Sequence, residues 1–194
     1  MLPLLRLVAS GLALLLLSGC LPESRNPIAP PTAAVADARV LGIWVAQIED
    51  EVVYLHILQD KENIYDVVSV SHRPDGSGAT DLYEGYIVKI GDRPFANLQP
   101  VGDTDAEGNE PAPAYFFASY ELEGSDQLTV RYLAEQPLID AIAAGKLTGE
   151  VTEDQLGRNI LLTDEPARIA AFLAAADPAT LFDQTMTFRR VPGP

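Results

Sequence analysis

Between residues 39 and 134, short runs rich in Val, Ile, Tyr and Phe recur at a spacing near ten residues, each closed by turn-forming residues. Evenly punctuated runs of this kind belong to antiparallel sandwiches and barrels. They span 39–48, 51–59, 63–71, 80–91, 94–100, 114–122 and 126–134. The connections carry the matching chemistry: Glu49-Asp50, Asp60-Lys61-Glu62, Pro74-Asp75-Gly76-Ser77-Gly78, Gly91-Asp92 and Gly124-Ser125-Asp126. Short connections make sequence neighbours pair in space, which is an up-and-down meander.

After residue 134 the period changes. Pro137 opens a helical stretch with Leu138, Ile139 and Ile142 on one face, and Gly145 stands at its stop. Thr163 or Asp164 caps a second helix, in which Ile169, Phe172, Leu173 and Ala176 form an i, i+3, i+4, i+7 stripe. Asp177-Pro178 ends it, and a last β run covers 184–191. The expected fold is therefore mainly β: one antiparallel up-and-down barrel of about eight strands, with two short helices before the last strand. At about eight strands a closed barrel leaves room for one small ligand. A β-sandwich with Trp44 in its core is the alternative.

Gly42-Ile43-Trp44, on the first strand, resembles the Gly-X-Trp of the lipocalins. The resemblance implies that Trp44 plugs one end of the barrel and that an arginine of the last strand, Arg189 or Arg190, packs across it. An indole needs a large apolar site and a partner for its N–H, and a guanidinium stacks on its face. In lipocalins the helix follows the eighth strand, whereas both helices here precede the last one.

The amino terminus carries a different message. Arg6 supplies positive charge, no further charge appears until Glu23, and Leu12 and Leu14 to Leu17 make an apolar centre shorter than a membrane span. The stretch ends Leu17-Ser18-Gly19-Cys20, which resembles the lipobox of bacterial lipoproteins. That resemblance implies removal of residues 1–19, a diacylglycerol thioether on Cys20 and acylation of the new amino terminus. Several acyl chains give stable anchoring where one alone is marginal. Leu21 stands where an Asp would resemble the retention signal of inner-membrane lipoproteins, so the expected address is the outer membrane, facing the periplasm. Cys20 is the chain's one cysteine, so lipidation leaves no thiol for a disulfide or a cysteine-metal site. Residues 21–38 hold four prolines among small residues and no apolar period, and read as a disordered tether. The organisation expected is signal peptide 1–19, lipidated Cys20 and tether to 38, and barrel domain 39–194.

Without Arg6 the mature chain keeps 12 basic and 28 acidic residues, a net charge of −16. Such a surface repels nucleic acid and anionic head groups, so membrane attachment rests on the acyl chains. His56 shares a strand face with Val52, Tyr54 and Leu58, opposite the apolar Val53, Leu55 and Ile57. Tyr54 and His56 are the weak ligand-site candidates should the barrel hold a pocket, while His72, before Arg73-Pro74, belongs to a solvated turn. No Gly-X-Ser-X-Gly elbow and no His-Glu-X-X-His occurs, so no catalytic residue, metal ligand or cofactor is assigned and no enzyme is expected. Asp103-Thr-Asp105-Ala-Glu107-Gly108 resembles the start of an EF-hand calcium loop. Ala114 stands where the closing Glu belongs, and Pro111 and Pro113 forbid a following helix, so a solvated acidic loop is expected. Together these features lead to a lipid-anchored envelope protein that binds a small apolar or amphipathic ligand. The alternative is a structural or protein-interaction lipoprotein without a ligand.

Overall fold

The computed structural model describes residues 21–102, 114–154 and 157–193. In chain order the strands are β1 (Glu23–Ser24), β2 (Gly42–Ile48), β3 (Glu51–Lys61), β4 (Ile64–His72), β5 (Gly78–Ile90), β6 (Arg93–Pro100), β7 (Tyr115–Glu123) and β8 (Gln127–Leu133). Helix α1 (Glu135–Ala143), strands β9 (Gly149–Asp154) and β10 (Gly157–Leu162), helices α2 (Pro166–Ala175) and α3 (Pro178–Leu181), and strand β11 (Phe182–Arg190) complete them.

Strands β2 to β8 pair each with the next, and β11 closes the ring between β8 and β2. The result is a closed antiparallel eight-stranded barrel, and the sandwich alternative is set aside. The seam between β2 and β11 is short: Val45 and Trp44 lie opposite Arg189 and Arg190, and the Val191 N–H donates to the Ile43 carbonyl at 2.8 Å. The connection from β8 to β11 carries α1, the β9–β10 hairpin, α2 and α3. Both expected helices are present, α1 beginning two residues before Pro137 and ending against Gly145, whose φ of +67° suits a helix stop. The hairpin β9–β10 and the short α3 were not foreseen.

Two cores lie on opposite faces of the barrel wall. The inner one gathers the inward residues of the meander, among them Trp44, Ile57, Ile87, Leu128, Val130 and Phe188. The outer one packs α1, α2, α3 and β10 against β5, β6 and β7, through Val88, Phe95, Phe117, Leu138, Ile169 and Leu173. The stretches Gly85-Tyr86-Ile87-Val88 and Phe117-Ala118-Ser119-Tyr120 are accordingly buried on both faces. A wall covered on both sides loses the apolar–polar alternation of a half-solvated sheet. Strand β5 shows the contrast within itself, because its first half, Gly78 to Leu82, is exposed.

The segment expected to be a disordered tether is instead a strap fixed to the barrel. Glu23 and Ser24 pair in parallel with Leu161 and Leu162 of β10 and antiparallel with Phe116 and Tyr115 of β7. Ile28 is buried in the outer core, and its N–H donates to Oδ1 of the buried Asn97 at 2.7 Å. Asn26 Nδ2 donates to the Asp164 carbonyl at 2.9 Å, and the Tyr86 hydroxyl donates to the Ala29 carbonyl at 2.7 Å. Prolines, which are excluded from helix interiors and central strands, still suit a largely extended segment whose other polar groups find partners. The Asp164 carboxylate accepts from the Thr148 N–H, which leaves Glu165 as the residue before α2.

Candidate functional site

Residues 35–41 cross one end of the barrel and plug it. The Val35 N–H donates to the Ile87 carbonyl at 2.8 Å, beyond the start of β4. The Asp37 N–H donates to the Tyr65 hydroxyl at 2.9 Å, and the Tyr120 hydroxyl donates to Asp37 Oδ2 at 3.1 Å. Arg39, closing on the same carboxylate through Nε and Nη2, holds Asp37 below the ordinary carboxylate range against the opposing effect of burial. Burial first, and the Asp37 charge second, push the Tyr120 phenol far above its usual range.

Trp44 lies beneath this plug, fully buried, with Nε1 donating to the Val40 carbonyl at 2.7 Å. The Arg190 guanidinium stands 4.0 Å from its ring centroid and donates to the carbonyls of Leu41, Arg39 and Ser125. Arg190 is therefore the arginine across the indole. Arg189, one residue earlier on β11, points to the other face and is exposed. Gly42 has φ +125°, and a Cβ there would stand 2.8 Å from Arg190 Nη1. The backbone conformation favours glycine at this position, and a side chain there would displace the guanidinium.

Below the plug the barrel is not filled. A cavity of about 160 Å³ runs from Val40 to Leu21, along the walls formed by β3 to β8. Small residues on neighbouring strands leave the space. Ala96 and Ala118 lie in register between Ile87 and Tyr132; Gly85 lies between Tyr65 and Leu98, where close approach of the neighbouring strand requires glycine, a Cβ there standing 2.6 Å from the Asn97 carbonyl oxygen. Aliphatic groups, among them Leu55, Ile57, Val67 and Leu128, make up much of the rest of the lining. The lining residues with polar side-chain groups are Ser69, Tyr65, Tyr83, Tyr86, Tyr120 and Tyr132, and no Asp, Glu, Lys, Arg or His lines the cavity among the described residues. Burial pushes the Tyr132 phenol up to about 12 and raises that of Tyr83, so both remain neutral donors at physiological pH. An uncharged apolar cavity with a few hydroxyls fits an apolar or amphipathic molecule; a cavity of roughly 150 Å³ with such a lining suffices for a benzene-sized guest.

Leu55 and Ile57 line the cavity, whereas Tyr54 and His56, one residue out of phase, occupy the outer face of β3. The ligand-site expectation for Tyr54 and His56 is thus corrected, because successive side chains of a strand point to opposite faces. Tyr54 instead makes an edge contact with His72, with ring centroids 6.4 Å apart. The residues that the sequence reading missed are the inward small ones; a file of Ser69, Gly85, Ala96 and Ala118 at inward positions of four consecutive strands was the available signal. Cys20 and the acidic stretch 103–110 lie outside the described residues. Set against known proteins, the chain matches no family model, no curated protein and no solved structure.

Proposed function

We propose that this protein is a lipid-anchored lipoprotein of the cell envelope whose barrel binds one small apolar or amphipathic ligand. The observation that carries the reading is the uncharged cavity of about 160 Å³ inside the barrel, at a place where close packing is the rule for protein interiors. The Leu17-Ser18-Gly19-Cys20 motif supports acylation at Cys20, and Leu21 in place of a retention Asp supports an outer-membrane address facing the periplasm. The plugged end, with Arg190 across Trp44, supports a lipocalin-like design in which one end is sealed by packing. No His, Cys, Asp, Glu, Lys or Arg lines the cavity among the described residues, so its hydroxyls have no charged or basic partner in the lining, which favours binding over chemistry.

The test is native mass spectrometry of the mature chain released from membranes in mild detergent. The expected result is a diacylglycerol-modified amino terminus together with a co-purified molecule that a cavity-filling Ala96→Phe variant fails to retain. A protein that carries no ligand and takes up no apolar dye such as 1-aminoanthracene would favour a structural or protein-interaction lipoprotein instead.

A further inference from the structure

Leu21 lines the cavity, and it is also the residue that follows Cys20. Its place follows from the pairing of β7. From Glu123 to Ala118, β7 pairs with β8, but Phe116 and Tyr115 pair with β1 instead. The wall forks there, and Leu21 sits at the fork between the cavity and a shallow surface pocket beside Glu23, Glu150 and Asn159. The strap fixes this position, since Glu23 and Ser24 are strand residues and Ile28 is buried. Cys20 immediately precedes Leu21 in sequence, so acylation of Cys20 would attach the membrane anchor one residue before this point of the chain.

Glu23 and Glu150 on one side of the fork exclude an anionic lipid surface, while apolar and aromatic side chains flank its other side. Leu82 and Val101 are 40% and 48% exposed and are joined by a 2.8 Å hydrogen bond from the Val101 N–H to the Leu82 carbonyl. Beside Leu82, the Tyr83 ring meets Phe116 edge-on, with centroids 6.2 Å apart, and Tyr83 and Phe116 both line the cavity. Aromatic rings with one polar end favour the membrane interface. The opposite end of the barrel is closed by the plug. A volume near 160 Å³ is too small for a whole lipid and admits the end of one hydrocarbon chain.

We propose that the occupant of the barrel is the tail of a lipid drawn from the bilayer to which the protein is anchored, entering beside Leu21 at the fork of β7 and β8 while its head group stays at the surface. This rests on the reading of the protein as an acylated ligand-binding lipoprotein. The test uses the full mature protein in phosphatidylcholine vesicles that contain a phosphatidylcholine with a diazirine at the end of one acyl chain. After photolysis, peptide mapping should place adducts on cavity residues such as Leu55, Val67, Ala96 and Val130. The adduct yield should fall about tenfold in Ala96→Phe or Val67→Phe, the scale of one misfit group in an apolar pocket, with far-UV circular dichroism confirming that the variant folds. Adducts confined to outer residues such as Ile43 and Leu58 overturn the proposal. If the anchored protein takes 1-aminoanthracene from solution into the cavity yet gives no interior adduct from vesicle lipid, the binding function stands and a bilayer source is refuted. A protein without the acyl modification, or one whose cavity takes neither probe, removes the underlying reading together with this inference.

Discussion

Replacing Arg190 with Ala should loosen the sealed end of the barrel by a calculable amount. The guanidinium stands 4.0 Å from the centroid of the fully buried Trp44 ring and ties the carbonyls of Leu41, Arg39 and Ser125, from two separate stretches of chain. A partly desolvated cation over an indole contributes about 1–2 kcal/mol. The hydrogen bond to Leu41 is the part-buried one and adds about 1.5 kcal/mol, while solvent replaces the exposed contacts to Arg39 and Ser125 at little net loss. The expected destabilisation is therefore about 3 kcal/mol, which for a domain of this size lowers Tm by roughly 6–12 °C. The assay is thermal unfolding of the mature protein followed by circular dichroism, with Trp44 emission recorded in parallel. Emission should shift to the red as water reaches the ring of the chain's one tryptophan. Arg190→Lys should recover less than half of the loss, because an ammonium cannot bridge three carbonyls as a planar fork does. Arg189→Ala, on the exposed face, should stay within about 0.5 kcal/mol of wild type. An Arg190→Ala protein that melts within about 2 °C of wild type, or no more than Arg189→Ala, refutes the assignment of Arg190 as the residue that seals this end.

Ile28→Ala should cost about 2–5 kcal/mol in chemical denaturation, since the side chain is 1% exposed in the outer core; a tether residue would cost nothing measurable. Asp37 has a folded pKa below its unfolded value, through its hydrogen bonds to Arg39, so it stabilises the fold above about pH 4 and that contribution is lost as pH falls through the folded value. Acid titration of stability should accordingly show a smaller loss below about pH 4 for Asp37→Asn than for wild type, and identical curves would show that the Asp37–Arg39–Tyr120 contact is not made in solution. Cys20→Ala should leave unprocessed precursor without acyl groups; a mature-size, acylated product would end the lipoprotein reading.

The sequence by itself determined the barrel strands to within a few residues. Alternating apolar runs separated by turn residues specify both a strand and the short connection to its neighbour, and a chain of such hairpins has few ways to close. Gly42, Trp44 and a terminal arginine were legible only through the Gly-X-Trp resemblance, and the structure supplies the physical reason: Gly42 has φ +125°, and the indole is fully buried with the Arg190 guanidinium over its ring. The choice between Arg189 and Arg190 was not, because it depends on which face β11 presents after a register shift between Phe182 and Gln184. The strap was misread because its order comes from long-range partners, such as Asn97 for Ile28 and Asp164 for Asn26, which no local pattern announces. The β9–β10 hairpin was hidden similarly, since Gly149 to Asp154 alternates weakly and gains its strand character from pairing with β10. For the site, the strand pattern supplied two faces and left open which was inside. Tertiary closure decided that Leu55 and Ile57 face the cavity and that Tyr54 and His56 do not. It also decided that a cavity exists at all: an empty volume is the mismatch between a ring of backbone, whose size is set by eight strands, and small side chains such as Ala96 and Ala118 that fail to fill it.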